Sequence, residues 1–255
     1  MIALACAALF AVYFAGVRVY RRRFSHRPFP ALRVVFFATG LALLAIAFLP
    51  QIDTLADRFF LWHMAQHIIL MLAAPPLLLL GAPLLLLVAA TPKSFASAIA
   101  RAADSTPGRA LLAPVTGWLA FVFVLWTSHF SALYERALEQ PLVHGFEHAL
   151  FFGAGLLFWN AVVQVGYAPR PVAYPARMLY LFLALPQGAF AAFAIGASRH
   201  PMYAHYAAVL GPAAALSDQR AGADLMWIAG GFLLFCAFML EAATWAASER
   251  RAVAA

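Results

Sequence analysis

An all-α, polytopic membrane protein is expected from this sequence, built as a seven-helix bundle with its N-terminus out and its C-terminus in. Three observations lead there. Of 255 residues, 65% are hydrophobic and only 11% are charged, against about 25% charged in a soluble domain. A soluble chain of this composition would expose far more apolar surface than globular proteins do. The apolar residues fall in continuous runs near the roughly 20 residues that a helix needs to cross a hydrocarbon core. The basic residues sit in short gaps between those runs, as orientation signals do. Soluble globular enzymes and disordered chains are thereby excluded. The runs also lack the alternation of an outer-membrane barrel. The net charge of +7 belongs to the gaps, so it does not point to nucleic acid.

The first run covers about 2–20 and is followed by Arg18, Arg21, Arg22 and Arg23. A cleaved signal peptide carries its positive charge before the run, so this segment reads as a span that sends the N-terminus outward. The second run is about 31–49. The third, about 57–90, would extend about 51 Å as one straight helix. Pro75-Pro76 is expected to break it, with Gly81-Ala82-Pro83 as a second weak point. The remaining runs are about 111–129, 141–163, 176–197 and 224–247, and Pro186 is expected to kink the sixth.

Whether the third run crosses once or twice is decided by charge. With a single broken span, the inner side holds Arg18, Arg21, Arg22, Arg23, Arg27, Arg33, Lys93, Arg101, Arg109, Arg170, Arg177, Arg250 and Arg251, which is 13 of the 17 Lys and Arg. Arg58, Arg136, Arg199 and Arg220 are then outside. Two spans would leave 9 inside and 8 outside. The positive-inside rule therefore selects the single broken span. The chain reads as one transmembrane domain, 1–255, without internal repeats. The loops at about 91–110 and 198–223 are too short to fold alone. Trp62, Trp126 and Trp227 are placed at the outer interface, and Trp159 and Trp245 at the inner one, as an aromatic belt. Cys6 and Cys236 lie inside apolar runs and read as small buried hydrophobes. Glu241 lies deep in the last span, where Arg177 is a candidate partner.

This orientation gathers seven of the eight histidines on the outer side, with only His26 inside. His63 and His67 are an i, i+4 pair, so both rings share one helix face. His144 and His148 repeat the spacing on the fifth span, with Glu147 beside them. Two such pairs at similar depth can surround one point with four imidazoles. His129, ending the fourth span on the same side, is a fifth candidate. Ionisable groups in a membrane are costly and face the bundle interior. Neutral imidazole suits zinc, copper, iron and nickel. The metal site is therefore assigned to His63, His67, His129, His144 and His148. Glu147 and Asp218 are candidate acceptors that would fix a histidine tautomer. Met64 and Met71 flank the His63/His67 face; thioethers suit Cu(I), although methionine in a membrane helix is usually packing. His200 and His205 lie in the last outer loop and are not assigned to the site.

Four motifs in order then show a resemblance. The first is Trp62-His63-Met64-Ala65-Gln66-His67 with Ala74-Pro75-Pro76-Leu77 and Gly81-Ala82-Pro83. The second is Thr127-Ser128-His129-Phe130 with Leu133-Tyr134-Glu135 and Ala137-Leu138. The third is His144-Gly145-Phe146-Glu147-His148 with Phe158-Trp159. The fourth is Asp218-Gln219 with Ala221-Gly222 and Met226-Trp227-Ile228. Together, over about residues 30–247, they resemble the multi-spanning CtaG-type cytochrome c oxidase assembly factors of bacteria. The resemblance implies a non-enzymatic protein of the bacterial plasma membrane that handles copper for a haem–copper oxidase. It maps the family's histidines onto His63, His67, His129, His144 and His148, and its acidic outer-loop residue onto Asp218. The implied partners are the lipid bilayer, oxidase subunits and a periplasmic copper donor, with a homodimer left open.

Two other readings use the same residues. An intramembrane zinc hydrolase would hold zinc through three histidines, keep a water in the fourth position, and use Glu147 or Asp218 as general base. A haem protein would clamp its iron between His67 and His148.

Overall fold

The structure, a computed structural model, describes residues 2–165 and 171–253. Arg170, assigned above to the inner side, lies outside the described residues. Those residues form helices and no strands. In chain order they are α1 (Ile2–Arg23), α2 (Ala31–Ala47), α3 (Pro50–Arg58), α4 (Phe60–Ile68), a π-helical turn (Ile69–Ala73), α5 (Ala74–Leu80) and α6 (Pro83–Ala90). Then follow α7 (Lys93–Asp104), α8 (Thr106–Leu111), α9 (Pro114–Phe130), α10 (Ala132–Glu139), α11 (Pro141–Val162) and α12 (Tyr174–Gly196). The chain ends with α13 (Ala204–Leu210), α14 (Pro212–Leu225), a second π-helical turn (Met226–Gly230) and α15 (Gly231–Val253). Proline punctuates this order. Pro50, Pro83, Pro114, Pro141 and Pro212 each open a helix. There the missing N–H is no loss and the fixed φ is already helical.

Among the described residues, five helices are long and apolar enough to cross a membrane: α1, α4 to α5, α11, α12 and α14 to α15. Two bent pairs bring the number to seven, α2 with α3 at 54° and α9 with α10 at 71°. The last helix runs unbroken for 42 residues from Pro212, about 63 Å of rise against a hydrocarbon core of about 30 Å. The expected loop at 198–223 is therefore largely helix, and so is the loop at 91–110.

The third span differs from its expectation. Phe60–Leu80 is one continuous membrane-length helix, and Pro75-Pro76 does not break it. The π-helical turn at Ile69–Ala73 widens the backbone just before the two rings, the usual device for admitting such a defect. Pro75 has no N–H to give the Met71 carbonyl, and Trp159 Nε1 donates to that oxygen at 3.1 Å. One turn earlier on α11, Gly155 faces the same spot; a Cβ there would come within 2.7 Å of the Met71 oxygen. Trp159 is thus 4% exposed in the bundle centre rather than in an interfacial belt. The break falls instead at Ala82, whose φ of 51° is left-handed. Tyr13 of α1 donates to the Gly81 carbonyl there at 2.8 Å, and its ring stacks on Phe37 with centroids 3.8 Å apart.

The main bundle packs α9 on α11, α5 on α2, α12 on α15 and α4 on α14, while α1 lies outside against α6 and α2. At one end, α3, α10 and α13 fold across the ends of the longer helices and touch one another through α13. At the other end, Arg177 pairs with Glu241 at 3.1 Å, and Arg23 donates to the Ala89 carbonyl.

Candidate metal centre

The two i, i+4 pairs meet beneath the layer of short helices. His63 and His67 stand one turn apart on α4, with their Nε2 atoms 3.0 Å apart. His144 and His148 repeat this on α11, at 3.1 Å. Across the helices, the His63 ring lies 5.1 Å from His144 and 5.8 Å from His148, and the His67 ring lies 5.6 Å from His148. His63, His67 and His148 each offer a ring nitrogen within 4.8 Å of the others, and all three are buried. His144 is half-buried at the edge of the group. The fifth candidate, His129 at the end of α9, has its ring 5.7 Å from that of His67.

Neighbours fix how these rings face. Tyr206 O–H donates to the Ala56 carbonyl at 2.9 Å. Its oxygen is then the acceptor for His63 Nδ1–H at 3.3 Å, which leaves the His63 Nε2 lone pair turned to the cluster. A carbonyl only accepts, so His129 Nδ1 donates to Leu125 O at 2.7 Å, and its Nε2 is likewise bare. His67 is held by stacking on Phe151, with centroids 3.8 Å apart. Holding the far nitrogen in this way is how proteins orient metal-binding histidines.

Glu147 supplies the electrostatic part. It is fully buried, and the nearby Ser128 hydroxyl of α9 is a weak donor to it at most, because neither carboxyl oxygen makes a hydrogen bond of ordinary geometry among the described residues. Its Oε2 lies 3.6 Å from His63 Nε2 and 3.8 Å from His67 Nε2. An unpaired buried carboxylate is among the most costly groups a fold can hold. A cation bound by the adjacent imidazole nitrogens would offset that cost. The donor set, neutral imidazoles with one carboxylate, suits copper or zinc.

Asp218 takes a different role from the one expected. Among the described residues it makes no hydrogen bond or ion pair with a histidine; its Oδ2 accepts from the Phe60 backbone N–H at 2.6 Å. Phe59, in the N-cap position of α4, has no side-chain oxygen to offer, so Asp218 of α14 caps the helix from outside. Gln66 ties the same helix down by donating to Ala47 O and Asp53 Oδ1, both at 2.8 Å. His205 donates to Asp57 O at 2.7 Å in the covering layer, and His200 is exposed. The sequence reading missed the aromatic cover. Phe60, Tyr134 and Tyr206 are within 2% of full burial, and Tyr203 is stacked on Phe60 with centroids 4.9 Å apart. Glu135 on α10 accepts from Ala204 N–H, binding α10 to α13.

A multi-spanning membrane protein with a buried histidine cluster at one end is the class that fold and site define. The chain belongs to the cytochrome c oxidase caa3 assembly factor family (Caa3_CtaG), whose model matches residues 11–248. It is 26% identical over 249 residues to an uncharacterized protein of Mycobacterium bovis and to one of Mycobacterium tuberculosis, covering 94% of this chain. An uncharacterized protein of Mycobacterium leprae is similar at 26% over 253 residues. The chain spans about 37% of the length of the first two relatives. No solved structure matches it significantly.

Proposed function

We propose that this protein serves the assembly of cytochrome c oxidase in the bacterial plasma membrane by holding copper as cargo and passing it to an oxidase copper centre. The observation that carries the reading is Glu147, fully buried with its Oε2 3.6 and 3.8 Å from the Nε2 atoms of His63 and His67, beside the buried His148 ring. His63, His67 and His148 are the central ligands, with His144 and His129 at the margin. The family's role in oxidase assembly supports the destination of the cargo. The distribution of Lys and Arg supports an outward-facing site, where a periplasmic donor would load it and an oxidase subunit would receive it. The role is non-enzymatic.

The zinc-hydrolase reading draws on the same triad and acid, and metal identity separates the two. The haem reading is the least favoured: the rings of His63, His67, His144 and His148 crowd at centroid distances of 4.2 to 5.8 Å, leaving no slot for a porphyrin. The test is twofold. Protein purified from its native membrane should carry copper, and oxidase from a deletion strain should be short of it. Stoichiometric zinc that resists copper exchange, or a fully coppered oxidase in the deletion strain, would overturn the proposal.

A further inference from the structure

We propose that His129 and Met64 form a second metal subsite, distinct from the His63/His67/His148 triad and specific for a soft monovalent cation such as Cu(I). This rests on the reading of the protein as a copper handler and gives it an oxidation state.

The argument begins with proton accounting. Neutral His129 spends its one N–H on the Leu125 carbonyl at 2.7 Å, so its Nε2 carries a lone pair and no proton. Facing it at 3.2 Å is Met64 Sδ, a thioether that has no proton to give. Two bare donor atoms therefore confront each other with no hydrogen bond between them. His129 is 3% exposed and Met64 is fully buried, so water does not separate them. A cation shared by the nitrogen and the sulfur turns this contact from repulsive to favourable. A thioether selects a soft ion and disfavours zinc or Cu(II).

The surroundings point the same way. Met64 and His129 line a small cavity of about 50 Å³ whose wall also holds His67, Met71 and Met226. Met71 lies seven residues after Met64, on the same face of the α4–α5 helix. Met226 opens the π-helical turn before α15. Three thioethers thus gather at one cavity that touches the histidine cluster through His67. On its far wall, between α12 and α15, stand Gly188 and Gly231, where an added Cβ would meet nothing within 4 Å. The triad's nitrogens and the methionine-lined cavity are therefore adjoining but chemically different environments. One suits a harder divalent ion, the other a soft monovalent one.

The test uses the full chain in detergent, with Ag(I) as a redox-inert probe for Cu(I) and Zn(II) as a probe for the triad. X-ray absorption of the Ag(I) form should show a sulfur neighbour. Met64→Leu, close to volume-conserving, should remove that sulfur signal and weaken Ag(I) binding by roughly tenfold or more, leaving Zn(II) binding unchanged. Met202→Leu, at a methionine outside the cavity, should change neither. His63→Ala should lose Zn(II) and keep the Ag–sulfur signal. An Ag(I) shell without sulfur in the wild type, a sulfur signal that survives Met64→Leu, or loss of both metals together in His63→Ala would overturn the subsite. A deletion strain with a fully coppered oxidase would instead end the delivery reading and leave the subsite standing.

Discussion

Glu147 and the histidines around it set opposing demands on stability and on binding. The carboxyl makes no hydrogen bond of ordinary geometry among the described residues, so the metal-free protein bears the desolvation of a polar group with little in return. Glu147→Gln keeps the shape and removes the charge. It should leave the metal-free protein melting no lower than wild type, while the affinity for a metal at the histidine cluster, under the proposed function, falls roughly tenfold or more; thermal melts with and without added copper check both signs. His63→Ala or His148→Ala should abolish Zn(II) retention at the triad in purified protein, whereas His26→Ala should not. Equal Zn(II) content in all three would show that the triad is not the ligand set. The histidines were legible because i, i+4 spacing is a local rule, readable wherever a helix is readable. Tyr206, Phe151 and Trp159 were not. Tyr206 reaches His63 across 143 positions of sequence, and only the bundle's packing says which residues become neighbours. Asp218 shows the same limit from the other side. Its acidity in an apolar chain marked it as important, but whether it faced an imidazole or a helix end depended on how α14 lies against α4.

At the scale of the helix, the α4–α5 span is held by two reinforcements from elsewhere. Trp159 satisfies the carbonyl that Pro75 orphans, and Gly155 lets α11 come close enough for it to do so. Trp159→Phe should cost about 1 kcal/mol or somewhat more through the unpaired buried carbonyl. Gly155→Leu should cost more by overpacking the same contact. Denaturant melts of both variants, with Phe190→Leu on the exposed face of α12 as control, measure this. Asp218→Ala removes the cap on the helix that carries His63 and His67, at about 1 kcal/mol. It should loosen metal binding without changing the ligand shell seen by absorption spectroscopy. The two prolines announced a disturbance in this span but not its form. A doublet that breaks an isolated helix can be carried by a π-helical turn when a neighbouring chain segment supplies the missing donor, and that donor lies 88 positions away. The left-handed turn at Ala82, one of the expected weak points, is what ends the helix.

For the molecule as a whole, the apolar runs alone gave the all-helical membrane fold, because the hydrocarbon core imposes span length on any sequence that crosses it. The short helices α3, α10 and α13 were beyond that reading, since they answer to the histidine end of the bundle and not to bilayer thickness. The asymmetry of Lys and Arg leads to a direct expectation: a tag at the N-terminus should be labelled by an impermeant reagent on intact cells, and a tag at the C-terminus should not. The reverse pattern would place the histidine cluster on the cytoplasmic side. The aromatic layer over that cluster has a consequence for time rather than affinity. Phe60, Tyr134 and Tyr206 are packed as tightly as any core residues, so an ion beneath them passes towards α10 and α13 only when those rings part. Release by that route is then set by a protein motion, and it can be triggered by whatever pries α10 and α13 away from α4, with no change in the ligands themselves.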